Sequence, residues 1–405
     1  MKIQIQYFDK DSLFFRGFLI FVAMKPQNIG EHTPVGILGG GQLGKMLIQA
    51  ASDLNIHIHC LDEDPNAPCA ALAHSYTIGS IRDYDTVLNF GRSKKIVTVE
   101  IENVNIEALE LLEKEGVLVY PQPAVLRLIK DKGIQKSFYT QQNIPTAPFH
   151  LYENKQEILN AGIKLPFVQK LCTGGYDGKG VQVINTIEDY SKLFDAPSIV
   201  EDKIEFSKEI SIIVSRNAKG ETSTFPAVEC EFNPQANLVE FQFSPAVISP
   251  AVEKEAALIA TKIITEMNMV GLLAVEFFLD HEERLMVNEM APRPHNSGHH
   301  TIECCETSQF AQHLRAILNL PLGNTSLRCP GAMLNLLGEP GYEGAVYYDG
   351  LEEVLTHKGT FVHLYGKEHT KPFRKMGHIT LIGATVEEVK ERSSQVKGML
   401  KVIAR

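Results

Sequence analysis

Tryptophan is missing from the whole chain, no two cysteines stand in a C-x-x-C pair, and no apolar run approaches the length of a membrane span. Each absence removes a class of protein. Without C-x-x-C spacing there is neither a thioredoxin-like dithiol nor a zinc ribbon. The scattered cysteines (Cys60, Cys69, Cys172, Cys230, Cys304, Cys305, Cys329) read instead as reduced thiols of a cytoplasmic protein. Phe18 to Ala23 is apolar but too short to cross a bilayer. It also lacks the longer core and small-residue cleavage site of a signal peptide. Cations are in deficit: 39 Lys and Arg against 49 Asp and Glu give a formal net charge of -10. That argues against broad nucleic-acid or membrane-surface binding, while leaving room for a local basic patch on one small anion.

What is present is the composition of a globular enzyme of 405 residues, 44% hydrophobic and long enough for two or three domains. Residues 1–33 read as an N-terminal extension, without fixed order or dispensable. From Pro34, short apolar strands alternate with helices: a strand to Leu38, a helix over 44–51, and strands over 56–61, 96–102 and 117–120. This pattern predicts a parallel sheet covered on both faces, closing near Pro121 and Pro123 and giving an α/β domain over 34–131. Over 132–325 the pattern changes to hairpin-like strands and one amphipathic helix carrying Ala256, Ile259, Ala260, Ile263 and Met267. Ser308 is placed to cap a further helix. A segment over 321–330 then leads to a small β-rich domain over 326–405.

Two glycine-rich loops differ in meaning. Gly39, Gly41 and Gly44 satisfy G-x-G-x-x-G between a strand and a helix, with Asp62 and Asp64 beyond. The pattern fits a dinucleotide, a substrate phosphate or simple packing, because a helix start offers N–H groups to any anion. Thr173 to Gly180 holds four glycines in eight residues between two strands, so it is not a Walker A loop, which opens a helix. A flap whose N–H groups close over phosphates explains its composition, with a mobile surface hairpin as the alternative. Lys170, on the strand leading in, adds a cation beside those phosphates.

Glu276 and Glu289 fall on two strands that turn around 280–283, so they face each other. Facing carboxylates repel and resist desolvation, so a cation belongs between them. Either Mg²⁺ with Asn296 nearby fills that place, or Arg293 does as a plain salt bridge. The histidines from His295 to His300 fit no common zinc spacing. Lys367, Lys371, Arg374, Lys375 and His378 form either an anion site or a solvated face.

These pieces resemble the ATP-grasp superfamily and, within it, the 5-(carboxyamino)imidazole ribonucleotide synthases of purine biosynthesis. The resemblance runs from Pro34 to the C-terminus. It rests on Gly41-Gln42-Leu43-Gly44, Thr173 to Gly180, Asn288 to Arg293, His295 to His299, and Arg374 to His378. It implies an ATP-grasp fold with a Rossmann-like N-terminal domain, a flap lobe over about 132–205, a metal lobe over about 206–325, and a β-rich C-terminal domain. It also implies a ligase reaction. Bicarbonate and ATP form carboxyphosphate, and the amine of 5-aminoimidazole ribonucleotide takes up the carboxyl group.

Residue roles follow from the resemblance. Lys132 and Lys170 contact nucleotide phosphates, and Gly175, Tyr176, Asp177, Gly178, Lys179 and Gly180 close over them. Glu201, Asp202, Lys203 and Ile204 line the adenine pocket at a hinge between lobes, Glu209 holds the ribose, and Glu229 and Asn288 complete the ATP site. Glu276 and Glu289 bind Mg²⁺, with Mn²⁺ as an alternative. Arg293, His295 and Asn296 sit at the carboxyphosphate. Gln42, Glu102, Tyr176 and Asp177 take the aminoimidazole nucleotide, with Lys367, Arg374 and Lys375 on its 5′-phosphate. The family further implies a homodimer and a separate mutase that receives the product, with no nucleic-acid or membrane partner. The sequence departs from the family pattern at His300, where tryptophan is common, and at Cys230, where asparagine is frequent. A formate-using transformylase of the same architecture typically carries glutamate at the position of Gln42. Biotin carboxylase is longer, and an inactive scaffold would not need both glutamates, the flap and Lys170.

Overall fold

The computed structural model describes residues 33–175, 180–233 and 238–405. Of the expected extension, only Thr33 lies among them. The first region runs β1 (Val35–Leu38), α1 (Gln42–Ser52), β2 (Ile58–Asp62), β3 (Ser75–Ile78), α2 (Tyr84–Arg92), β4 (Ile96–Val99), α3 (Ile106–Lys114), β5 (Leu118–Val119) and α4 (Pro123–Lys130). Its strands pair in parallel in the order β3-β2-β1-β4-β5. β1 and β4 are buried along their whole length because helices cover both faces, which is why they read as unbroken apolar runs. The chain changes direction across the sheet between β1 and β4, so a crevice opens at the carboxyl ends of those two strands. The sequence reading missed β3, an edge strand whose residues are mostly exposed. It also carried the strand at 96 too far: β4 stops at Val99, and Glu100 turns away to another task.

Next come α5 (Lys132–Gln141), β6 (Phe149–Tyr152), α6 (Lys155–Asn160), β7 (Phe167–Leu171), β8 (Val181–Ile184) and β9 (Ser198–Asp202). The strands form a small antiparallel sheet in the order β6-β9-β7-β8. Asp131 starts α5 by accepting hydrogen bonds from the Gly133 and Ile134 amides at 2.8 and 3.1 Å. Residues 203–207 then lead from β9 into a second, larger sheet.

That sheet takes β10 (Lys208–Arg216), β11 (Thr222–Thr224), β12 (Val228–Asn233) and β13 (Leu238–Ser244). After helix α7 (Pro250–Glu266) it takes β14 (Gly271–Leu279) and β15 (Leu285–Ala291). α7 buries Ala256, Ala260 and Ile263 completely against it, as the helical spacing predicts. α8 (Thr301–Cys304) and α9 (Gln309–Ile317) follow, the latter capped by Ser308 as expected. The tail contributes β16 (Gly331–Leu337), β17 (Gly344–Asp349), α10 (Leu351–Leu355), β18 (Thr360–Leu364), β19 (His369–Thr370), β20 (Lys375–Ile382), α11 (Val386–Val396) and β21 (Lys401–Ala404). Only β17, β19 and β21 form a sheet of their own. β16, β20 and β18 instead extend the large sheet, giving the continuous path β15-β14-β10-β12-β13-β16-β20-β18. All seven cysteines are free. No helix among the described residues is long and apolar enough to cross a membrane.

Candidate active site

The first glycine loop leaves β1 and opens α1, as its pattern requires, with Gly39 at φ 106°. Its amides, however, already have partners. Glu100, the first residue past β4, accepts hydrogen bonds from the Gly41 and Gly44 N–H groups, both at 2.5 Å. Asp62, at the end of β2, accepts from the Gly40 N–H at 2.7 Å. A Cβ on Gly41 would lie 2.4 Å from a Glu100 oxygen, so glycine is needed here for the approach of a side chain. Of the three readings the glycine pattern left open, this arrangement favours packing: the protein's own carboxylates take the amides. Burial pushes the Glu100 carboxyl above its usual range, and the two amides offset part of that rise. Gln42 begins α1 beside this knot, half-exposed. Glu102, two residues past Glu100, pairs with Arg293 at 2.8 Å and so ties the parallel-sheet domain to the large sheet.

The residues expected at the nucleotide gather where the small sheet faces β15. Lys132, the first residue of α5, reaches Glu289 Oε1 at 2.9 Å. Lys170 on β7 lies between Glu201 Oε2 at 2.7 Å and Asn288 Oδ1 at 3.0 Å. Glu201 on β9 is 4% exposed and also grips Lys136, so its carboxylate is fully engaged within the protein. Asp202 closes β9, and Lys203 and Ile204 follow in the connection to β10, where the hinge was expected. Glu209 on β10 is half-buried, and burial pushes its carboxyl up to about 7 against the pull of Lys170. Glu229 on β12 receives Lys208 at 2.7 Å. Gly175 and Gly180 meet at the base of the flap hairpin, where the Leu171 N–H donates to the Gly180 carbonyl at 2.9 Å. Tyr176, Asp177, Gly178 and Lys179 lie outside the described residues.

Glu276 and Glu289 are register partners across β14 and β15, as the turn at 280–283 predicts, and a bulge follows Glu276. Burial pushes the Glu276 carboxyl up to about 8, helped by the charges of Glu289 and Glu209. Glu289, its side chain 55% exposed, feels partial burial in the same sense, but Lys132, Lys170 and Arg293 together hold it below its usual range. Arg293 does not bridge the two glutamates; it pairs with Glu102. Two facing carboxylates and the Asn288 amide, with no arginine between them, are a hard-oxygen set that fits a divalent cation.

His295 stands at the end of this pair, its Nε2 3.8 Å from Glu276 Oε1. Gln309 fixes its backbone, accepting from the His295 N–H at 2.8 Å and donating to its carbonyl at 2.7 Å. Ser297 lies 2.9 Å from its Nδ1. Burial, with the cations of Arg293 and Lys375, lowers its pKa to about 3, so the ring is neutral. Asn296 begins a short turn over Asn296–Gly298 beside it.

The tail cations divide between two places. Lys367 and Arg374 line a small cavity with Asp64, Asn66, Pro68, Glu368 and His369, between the parallel-sheet domain and the tail. Lys375 begins β20, and its charge acts on Glu276 and His295. Sequence reasoning overlooked three contributors. Glu100 was detectable, since it opens a Glu-x-Glu step at the end of a strand beside the crevice. Lys136 lies one helical turn beyond Lys132, and nothing local marks Gln309.

Comparison with known proteins agrees with this layout. The family models for the ribonucleotide synthetase preATP-grasp domain, the ATP-grasp domain and the phosphoribosylaminoimidazole carboxylase C-terminal domain match residues 32–130, 137–310 and 331–392. The N5-carboxyaminoimidazole ribonucleotide synthase of Bacillus subtilis is 38% identical over 373 residues, covering 90% of this chain and 95% of that protein. The crystal structure of the Thermotoga maritima synthetase superposes with a TM-score of 0.86 at 37% identity, covering 92% of this chain and 100% of that one. The Aspergillus clavatus enzyme, solved in complex with ADP and 5-aminoimidazole ribonucleotide, gives 0.83 at 32% identity, covering 91% and 98%. With such relatives matched over nearly their whole length, the chain belongs to the N5-carboxyaminoimidazole ribonucleotide synthase family of ATP-grasp ligases.

Proposed function

We propose that this chain uses ATP to carboxylate the 5-amino group of 5-aminoimidazole ribonucleotide with bicarbonate, through carboxyphosphate, releasing ADP and phosphate. The observation that carries the reading is the register pairing of Glu276 with Glu289, placed where Lys132 and Lys170 converge. In this reading Lys132 and Lys170 bind the nucleotide phosphates, and the backbone from Glu201 to Ile204 with Glu209 holds adenosine. Glu276, Glu289 and Asn288 hold Mg²⁺. When bound, the metal offsets the charge of the phosphates. His295, neutral and clamped by Gln309, offers a hydrogen bond rather than a fixed charge to the bicarbonate-derived group. Arg293 supplies the cation, oriented by Glu102. Gln42 and Glu102 meet the aminoimidazole ring, and Lys367, Arg374 and Lys375 the 5′-phosphate. A cytoplasmic homodimer that hands its labile product to a separate mutase completes the proposal.

The test is ADP release from ATP and bicarbonate, with and without 5-aminoimidazole ribonucleotide, together with incorporation of labelled bicarbonate into an acid-labile product. ADP release coupled to incorporation supports the reading. ATP hydrolysis with no incorporated label, or a dependence on formate instead of bicarbonate, overturns it.

A further inference from the structure

Lys136 is a lysine the proposed chemistry does not use, and it is 2% exposed. Its ammonium donates to Thr146 Oγ1 at 2.5 Å, pairs with Glu201 Oε1, and lies 5.6 Å from the centre of the Phe149 ring. Removing a lysine from water to this depth is costly unless its charge is compensated. The gain is not neutralisation of Glu201, because Lys170 already pairs with the other oxygen of that carboxylate at 2.7 Å. Two ammonium groups on one carboxylate leave these three residues with one net positive charge, which acts on Glu289 and Glu209 at the cleft. The exposed end of the cluster is Lys170, 13% accessible and 3.0 Å from Asn288, the neighbour of Glu289.

We propose that Lys136 is a positioning residue for nucleotide binding: by taking one oxygen of Glu201, it leaves Lys170 an undiminished cation, aimed across the cleft at the phosphates. Without Lys136, Glu201 closes on Lys170 alone and cancels its charge. Thr146 anchors the arrangement to the metal lobe, donating to the Val287 carbonyl at 2.8 Å. The same device therefore spans both sides of the cleft. It acts through Lys170, so it rests on the reading of that residue as a phosphate ligand.

The experiment is calorimetric titration of the full chain with Mg·ADP, and separately with 5-aminoimidazole ribonucleotide. Lys136→Met is expected to weaken Mg·ADP about tenfold, the scale of one lost charge-assisted contact, and to leave the ribonucleotide unchanged. Adding Glu201→Gln to Lys136→Met should recover most of that loss, because Lys170 is then released from the carboxylate. A purely structural role predicts the opposite, a second loss on top of the first. If Lys136→Met does not fold, Lys136→Gln keeps a donor for Thr146 and Glu201 without the charge and gives the same comparison. Unchanged affinity in the single variant, or no recovery in the double, overturns the proposal. If Lys170→Met itself leaves Mg·ADP binding unaltered, the phosphate assignment of Lys170 fails instead.

Discussion

Glu100 and Glu276 are two half-buried carboxylates that both feel the charge of Arg293, one at the parallel sheet and one on the large sheet, and the protein treats them in opposite ways. Glu100 is completed from within: two backbone amides point at it, and the glycines that bring them there tolerate no side chain. Glu276 is left incomplete, faced by Glu289 and 3.8 Å from a neutral histidine. The first arrangement gives a rigid wall, because every polar group in it has a partner before any ligand arrives. The second suits a binding site, because its repulsion is relieved either by a proton on Glu276 or by a cation. Burial alone therefore does not identify function. What separates the two is whether the chain satisfies the charge it buries.

The largest expected effect is at the incomplete site. Glu289→Gln keeps shape and removes one anionic ligand, so kcat/KM should fall by at least the ~10–100-fold of a lost supporting contact, with a raised Mg²⁺ requirement. Its melting temperature should hold, since repulsion with Glu276 is relieved as the pairing with Lys132 is weakened. Steady-state kinetics across a Mg²⁺ titration checks this, and unaltered Mg²⁺ dependence in a destabilised protein would break the contrast. At the complete one the signature reverses. Glu100→Gln turns an NH₂ group toward an amide N–H, so stability should drop by about 1.5–3 kcal/mol, seen by denaturant unfolding. The Mg²⁺ requirement should stay where it was.

Beyond both, Arg374→Ala should raise KM for the ribonucleotide roughly ten- to a hundred-fold while the ATP KM stays put. Equal effects on both substrates would move the phosphate site elsewhere. The smallest effect is a slope with pH. Glu276 keeps its proton up to about 8 in the folded chain, whereas in the unfolded chain a carboxyl ionises near its ordinary value of 4.5. The stability it contributes is present below about 4.5 and fades as pH rises to about 8. Melting temperatures without metal should fall across that window, and Glu276→Gln should flatten the fall. A variant with an unchanged slope would remove Glu276 as its source.

Much of this was legible in the sequence where one local pattern carried it. The β1–glycine–α1 step and the facing glutamates depend on periods and turns within a few residues, and both stand as expected. What escaped depends on distant partners. Glu100 reaches back 59 residues to Gly41. β3 is exposed at an edge and carries no apolar run to announce it. The tail is the small β-rich domain expected, but nothing near Gly331 reveals that its β16 pairs with β13 across the boundary.

That pairing bears on how the protein can be taken apart. The matched families divide it into three modules, the last beginning at 331. The hydrogen-bond ladder crosses that seam without interruption. Scission there would strip β13 of its neighbour and bare a row of unpaired N–H and C=O groups flanked by Phe241 and Phe243, an invitation to self-association. The smallest soluble fragment that carries the Glu276–Glu289 pair therefore includes the tail.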